Sequence, residues 1–89
     1  MSLNESDTLI SLGSLNKNQT AVIDCVDTGI YGEVLKNRLK AMGFVKGNTV
    51  RVLRRFLWGS PLQVQVGKTT VIAIRQAEAN LIMVRLLCI

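Results

Sequence analysis

Apolar and polar residues alternate most regularly in the run LQVQV, residues 62–66. Leu62, Val64 and Val66 are predicted to face a core and the two glutamines between them to face solvent, because successive side chains of a strand point to opposite sides. Four other short runs are rich in β-branched and apolar residues, and they predict strands at 20–26, 49–56, 70–74 and 81–87. The run 70–74 is apolar on both faces. The pattern thus predicts about five short strands.

One segment follows the helical period instead. Tyr31, Leu35, Leu39 and Met42 are spaced four, four and three residues apart, so they form one apolar stripe of a helix. Gly43 is predicted to end this helix in a left-handed backbone conformation. The helix is therefore inserted between the first and second predicted strands.

The start of the chain shows neither period clearly. Its first seven residues are polar, and we expect them to be frayed. The run TLISLGSLN that follows mixes apolar residues with turn formers, and we expect a short lead-in that packs Leu9, Leu12 and Leu15 onto the core. A turn comes next, in which Asn18 can adopt a left-handed backbone conformation at modest cost.

These elements define the fold class. A chain of 89 residues has room for one modest core, so residues 1–89 are interpreted as a single domain. Short antiparallel strands with tight connections favour a mainly β fold, namely a small, partly closed β-barrel with an inserted α-helix. No secretory signal is visible, and no apolar run approaches the roughly 20 residues of a membrane helix. Turns are predicted at Gly43, Gly47, Gly59, Pro61 and Gly67.

Charge is unevenly distributed along the chain. The formal net charge is +5, and residues 36–55 hold seven basic residues and no acidic one. We assign Lys36, Arg38, Lys40 and Arg51 to a basic face. Such a face favours an acidic partner, nucleic acid or an anionic membrane surface. The alternative is a solvated charged surface without a ligand.

Candidates for catalysis or metal binding are few. The chain has no histidine, and Cys25 and Cys88 lack the paired spacing of zinc or iron–sulfur ligands. We expect both thiols to be buried and free, with a disulfide between them as the alternative. The run GKTT, residues 67–70, lacks the glycine that a phosphate-binding loop requires, so it is interpreted as a hairpin turn. The sequence therefore predicts no enzyme, no metal site and no cofactor.

The run RRFLW, residues 54–58, places two arginines beside three large apolar residues. Strict alternation after Val50 and Val52 would put Arg54 in the core, so a β-bulge near Leu53 and Arg54 is predicted to turn both arginines outward. The turn residues Gly59 and Pro61 then make Leu57 and Trp58 the tip of a projecting hairpin. The alternative is that Trp58 folds back over the barrel. Because interfaces are enriched in aromatic residues and arginine, we predict a partner-binding surface formed by Arg54, Arg55, Phe56, Leu57 and Trp58.

Residues of several elements occur in an order that is known from one protein family. They are Arg38, Leu39, Met42, Gly43, Phe44, Gly47, Val50, Val52, Gly59, Pro61, Val64, Val66, Ala73, Ile74, Arg75, Glu78 and Ala79. Over residues 9–86 the chain resembles the FeoA family, ferrous iron transport protein A. The resemblance implies an SH3-like barrel with helical insertions. It also implies a cytoplasmic accessory protein of a FeoB-like membrane transporter for ferrous iron, whose cytosolic part hydrolyses GTP.

Two classes of function remain open at this point. The first is a binding module of ferrous iron uptake that contacts the cytosolic part of a FeoB-like transporter. The second is a nucleic-acid-binding SH3-like module, against which the small number of aromatic residues argues. A stand-alone relative of the C-terminal domain of metal-dependent repressors, which this domain type also resembles, and a receptor for proline-rich peptides are further alternatives. A strand that is apolar on both faces also permits a homo-oligomer.

Overall fold

The computed structural model describes residues 4–29, 32–55 and 61–88, with the backbone alone at residues 4–7 and 88. A 3₁₀ turn, Leu12–Ser14, follows the first strand. The predicted strands and the inserted helix are confirmed, and one further strand is present. The elements are β1 (Asn4–Ser11), β2 (Thr20–Val26), α1 (Gly32–Ala41), β3 (Thr49–Arg55), β4 (Leu62–Val66), β5 (Thr70–Ile74), α2 (Gln76–Ala79) and β6 (Ile82–Cys88).

The six strands form one antiparallel sheet in the order β1-β6-β2-β3-β4-β5. β1 is the strand that the sequence pattern missed, because it begins at Asn4, within the segment that we expected to be frayed. It lies at one end of the sheet, where β6 is its pairing partner among the described strands. β5 lies at the other end. The pairing among the described residues therefore leaves the sheet open between β1 and β5.

The register of β1 decides which of its apolar residues is buried. Ile10 is paired with the fully buried Val84 and packs against the core, whereas Leu9 is paired with Arg85 and is 39% exposed. The prediction that Leu9 packs onto the core is therefore wrong by one residue, since neighbouring side chains of a strand point to opposite faces. Leu12 and Leu15 are fully buried, as predicted.

A single hydrophobic core is formed by the inward faces of the strands, and both helices cover part of it. β4 alternates as predicted, and its three apolar residues are buried. β5, in contrast, turns Val71 to the outer face, where it is 49% exposed beside Gln65. The buried apolar residues of this core are Leu12, Leu15, Ala21, Ile23, Leu39, Phe44, Val50, Val52, Leu62, Val64, Val66, Ile74, Ala79, Ile82 and Val84.

Helix α1 packs its predicted stripe against this core. Leu39 is fully buried, Leu35 and Met42 are partly buried, and Tyr31 lies outside the described residues. Gly43 ends the helix at a φ of +103°, where its amide donates to the carbonyl of Lys40 and the next amide to that of Leu39. These two bonds form a Schellman motif, which satisfies carbonyls that the last turn would otherwise leave open.

Of the remaining predicted turns, those at Gly47 and Gly67 are observed. Gly47 and Gly67 have φ values of +91° and +66°, and Asn18 adopts the expected left-handed conformation with φ +70°. Gly67 joins β4 to β5, so GKTT is a hairpin turn. Pro61 is exposed, and Gly59 lies outside the described residues. Within the described ranges, neither helix is long and apolar enough to cross a membrane.

Candidate functional site

The two neighbouring arginines at the end of β3 are positioned by a break in the strand register. Val52 is paired with Val64, but Arg54 is paired with Gln63, so the register shifts between them. This shift confirms the predicted bulge, because one residue, Leu53, is left over. Val52 is fully buried, whereas Arg54 and Arg55 are both exposed.

The guanidinium of Arg55 nevertheless forms hydrogen bonds within the protein. Its Nε donates to the carbonyl of Leu15 at 2.9 Å, its Nη2 donates to the carbonyls of Gly13 and Leu15, and its Nη1 lies 3.4 Å from Oε1 of Gln76. We call this cluster of Arg55, Gly13, Leu15 and Gln76 the arginine corner. It ties β3 to the 3₁₀ turn and to α2, so the guanidinium has most of its donors engaged before any partner arrives.

The side chain of Arg54 differs from that of its neighbour in having no hydrogen bond or ion pair to the described residues. Arg54 is the second-last residue of β3, whose last residue, Arg55, directly precedes residues 56–60. Phe56, Leu57 and Trp58 lie outside the described residues, so their assignment to a projecting hairpin stays a prediction.

The four residues assigned to a basic face differ in what holds their side chains. Arg38 forms an ion pair with Glu78 of α2, and Arg51 donates to Oδ1 of Asn18 at 3.3 Å. Lys36 and Lys40 are four residues apart on α1, so they lie on one side of the helix. The assignment of all four residues to a single basic face stays a prediction.

Lys36 and Lys40 face an open groove of about 440 Å³ between α1, the end of β2 and the loop before β3. Val45, which is 42% exposed, and Phe44, which is buried, form apolar parts of its wall. Sequence reasoning missed this groove, although the spacing of Lys36 and Lys40 was a signal for it. We call it the lysine groove, and its lining includes Asp24, Cys25, Lys36, Lys40, Val45 and Lys46.

Cys25 is exposed in this groove, so the expectation that it is buried is wrong. It lies beyond a register shift between Ile23 and Cys25, which changes the side of β2 to which the thiol points. Partial desolvation raises the pKa of the thiol. Its hydrogen bond to Asp24 and the charges of Asp24 and Asp27 raise it further, while Lys46 opposes the shift. Cys88 has no described side chain, so its state stays a prediction.

Candidate metal ligands do not converge in the part of the chain that the structure describes. No group of three histidine, cysteine, aspartate or glutamate side chains lies together there. Asp24, the acid nearest to Cys25, is also used in an ion pair, with its Oδ1 lying 3.2 Å from Nε of Arg85. This pair orients the carboxylate on the wall of the lysine groove.

The family model for the FeoA domain matches residues 10–86 of the chain. The chain belongs to the FeoA family. A search of curated protein sequences gave no match.

Solved structures of FeoA proteins have the same fold. FeoA from Stenotrophomonas maltophilia, determined with zinc and described as an SH3 domain protein, is 36% identical with a TM-score of 0.73, over 84% of this chain and 88% of that chain. FeoA from Chlorobium tepidum is 26% identical with a TM-score of 0.75, over 86% of this chain and 70% of that chain. The predicted SH3-like fold is thereby confirmed.

A transcriptional repressor shares the fold as well. The manganese complex of a manganese-dependent repressor superposes with a TM-score of 0.80 at 14% identity. The match covers 91% of this chain and 38% of the repressor chain. At this identity the likeness concerns the fold alone.

Proposed function

We propose that this chain is an accessory protein of ferrous iron uptake that binds the cytosolic part of a FeoB-like membrane transporter. The match of residues 10–86 to the FeoA family carries the proposal, because family membership links the chain to ferrous iron transport. The relative from S. maltophilia is itself described as a suggested ferrous iron transport activating factor. A partner of this kind is reached from the cytoplasm, which we propose as the site of action.

We infer that the protein acts by contact and not as an enzyme. The sequence has no histidine that could serve as a base. Cys25 is an exposed thiol, but its raised pKa disfavours the thiolate, which is the nucleophilic form. Asp24 is paired with Arg85. These groups are therefore poorly suited to nucleophilic or acid–base catalysis.

The segment that follows β3 is our candidate for the contact with the transporter. The bulge turns Arg54 outward with its donors unused by the described residues. Arg55 fixes the base of the segment through the arginine corner. We propose that Arg54, Phe56, Leu57 and Trp58 contact the partner, while Arg55 positions them.

The divided basic residues support a protein partner over nucleic acid. Arg38 and Arg51 are engaged with Glu78 and Asn18, so they do not extend the lysines of α1 into a continuous phosphate-binding stripe. We expect no gel shift of single- or double-stranded DNA or RNA at moderate salt. Tight binding at both low and moderate salt would instead favour the nucleic-acid-binding module.

The test is a binding titration with the purified cytosolic domain of the FeoB-like transporter from the same organism. Trp58→Ala is expected to keep the fold and to weaken binding by about 30-fold, since a central interface tryptophan contributes on the order of 2 kcal/mol. Val71→Ala serves as a control, because Val71 is an exposed apolar residue on β5. Unchanged affinity of Trp58→Ala would remove this surface from the interface.

The fluorescence of Trp58 also tests whether its side chain is exposed to solvent. Trp58 is the only tryptophan of the chain, so its fluorescence can be assigned without ambiguity. We expect efficient quenching by iodide in the free protein and protection after addition of the transporter domain. Poor quenching in the free protein would mean that Trp58 covers the barrel and does not project from it.

A further inference from the structure

The lysine groove is a second candidate binding surface, and its lining shares no residue with the arginine corner. Three amino groups border it: Lys36 and Lys40 of α1, and Lys46 of the loop before β3. None of the three forms a hydrogen bond or ion pair with the described residues. Three cations that surround one groove and repel one another favour an anion between them.

The acidic side of the groove does not neutralise these lysines. Asp24 is the one carboxylate in its lining, and it is paired with Arg85 at 3.2 Å. Arg85 and Lys46 in turn border a neighbouring groove of about 350 Å³, which shares Asp24 with the first. Basic residues therefore line both grooves, and Asp24, the carboxylate that the grooves share, is already paired with Arg85.

The groove also has an apolar wall. Val45 is 42% exposed, Val26 is partly buried, and the buried Phe44 lies behind them. A simple inorganic anion would use the lysines and leave this wall in water. A peptide segment with carboxylates and one apolar side chain would use both.

We propose that the lysine groove binds a short acidic segment of a partner protein, with its carboxylates on Lys36, Lys40 and Lys46 and an apolar side chain against Val45. A nucleic acid or a membrane is less complementary to this surface. Either would need a broad cationic face, whereas Arg38 and Arg51 are engaged elsewhere and Asp27 is exposed next to the groove. The proposal does not depend on the transporter interaction, because its test uses no transporter.

The test uses the full chain and a fluorescein-labelled peptide in which pairs of glutamates alternate with single leucines. A second peptide carries glutamine at every glutamate. We expect saturable binding of the glutamate peptide, weakened as salt is raised from about 50 to 300 mM, and no comparable binding of the glutamine peptide. Equal binding of the two peptides would overturn the proposal.

A charge-matched pair of variants locates the site. K36Q/K40Q/K46Q is expected to weaken the glutamate peptide about tenfold, from three exposed ion pairs of modest strength each. K17Q/K68Q/R75Q lowers the net charge by the same three units at exposed positions outside the groove, and it should bind nearly as the wild type does. Both variants should keep the melting temperature of the parent within a few degrees. An equal loss in both would mean that only the net charge is sensed, which would overturn the proposal.

The reactivity of Cys25 can report whether a ligand occupies the groove. On a Cys88→Ser background, saturating glutamate peptide should slow alkylation of Cys25, because the thiol lines the same groove. Vesicles rich in phosphatidylglycerol and a DNA oligonucleotide are tested as competitors. If either protects Cys25 better than the peptide at equal negative charge, the groove is a membrane or nucleic-acid site and the peptide proposal is wrong.

Discussion

The arginine corner and the lysine groove both present cations at the surface, but their donors are used in opposite ways. In the corner, Arg55 donates to two backbone carbonyls and approaches Gln76. In the groove, the amino groups of Lys36, Lys40 and Lys46 have no hydrogen bond or ion pair within the described part of the chain. The cations of the groove are therefore available to a ligand, whereas Arg55 already uses most of its donors within the chain.

Chemistry explains why each region uses its type of cation. The guanidinium of Arg55 is a planar fork that can satisfy several fixed carbonyls at once, which suits a joint between three elements. A lysine amino group is a compact and mobile charge, which suits a ligand whose carboxylates have no fixed position. Replacing residues in each region should therefore affect different measurements: unfolding in the corner and binding or thiol reactivity in the groove.

The largest effect is expected for Arg55→Ala. The change removes the donors to Gly13 and Leu15 and leaves their part-buried carbonyls without this partner, which should cost about 2 kcal/mol of the free energy of unfolding. Chemical denaturation measures it. Arg54→Ala is the matched control and should change the free energy of unfolding by at most about 0.5 kcal/mol.

Arg55→Lys sharpens this test. A single ammonium group cannot reproduce the fork, so the variant should recover less than half of the lost stability. If Arg55→Ala proved no less stable than Arg54→Ala, the corner would not be a structural joint, and Arg55 would return to the candidate partner-binding residues.

A smaller effect in the same corner is expected for Gly13→Ala. The added Cβ would lie 2.0 Å from Oδ1 of Asn80 and 2.4 Å from Nε2 of Gln76, so both side chains must move. That displacement breaks the bonds from Gln76 to Gly13 and Asn80, at 3.2 and 2.9 Å. We expect a loss of about 1–2 kcal/mol by thermal or chemical denaturation.

A double-mutant cycle separates this clash from other causes. In Gly13→Ala with Asn80→Ala, the obstructing carboxamide is absent, so part of the stability should return relative to the sum of the single changes. Strict additivity of the two changes would show that Asn80 does not obstruct the new methyl group.

The sequence predicted elements whose pattern is local and missed contacts between distant residues. β4 alternates within five residues, and the stripe of α1 repeats within twelve, so both were visible without the fold. The bulge at Leu53 was also predictable, because strict alternation would have put Arg54 in the core. β1 was not visible, because an end strand that pairs on one side can have a polar sequence.

The candidate site shows the same limit. The engagement of Arg55 with Gly13 and Leu15 joins residues about 40 positions apart, and nothing in the run RRFLW indicates it. Arg38 and Glu78 are similarly distant, so their ion pair could not be predicted from the basic window in the sequence. Cys25 was predicted to be buried from residue type alone, and the register shift in β2 decides otherwise.

The smallest effect is expected in the groove and concerns the reactivity of Cys25. Alkylation requires the thiolate, and the pKa of this thiol is raised by partial desolvation, by the hydrogen bond to Asp24 and by the charges of Asp24 and Asp27. Asp24→Asn should therefore lower the pKa of Cys25, increase the thiolate fraction at a fixed pH near 8 and speed alkylation by roughly twofold or more. Asp27→Asn should act in the same direction and less strongly.

Lys46→Gln must shift the reactivity the other way, because Lys46 is the group that lowers the pKa of Cys25. On a Cys88→Ser background, the rate of iodoacetamide modification measured from pH 7 to 10 should thus order the variants as Asp24→Asn, Asp27→Asn, parent and Lys46→Gln, from fastest to slowest. The order should collapse at high pH, where every variant is ionised, and in molar salt, where the charges are screened. If Lys46→Gln instead reacted faster than the parent, the amino group of Lys46 would not be close enough to Cys25 to act on it, and Lys46 would no longer count among the cations of the lysine groove.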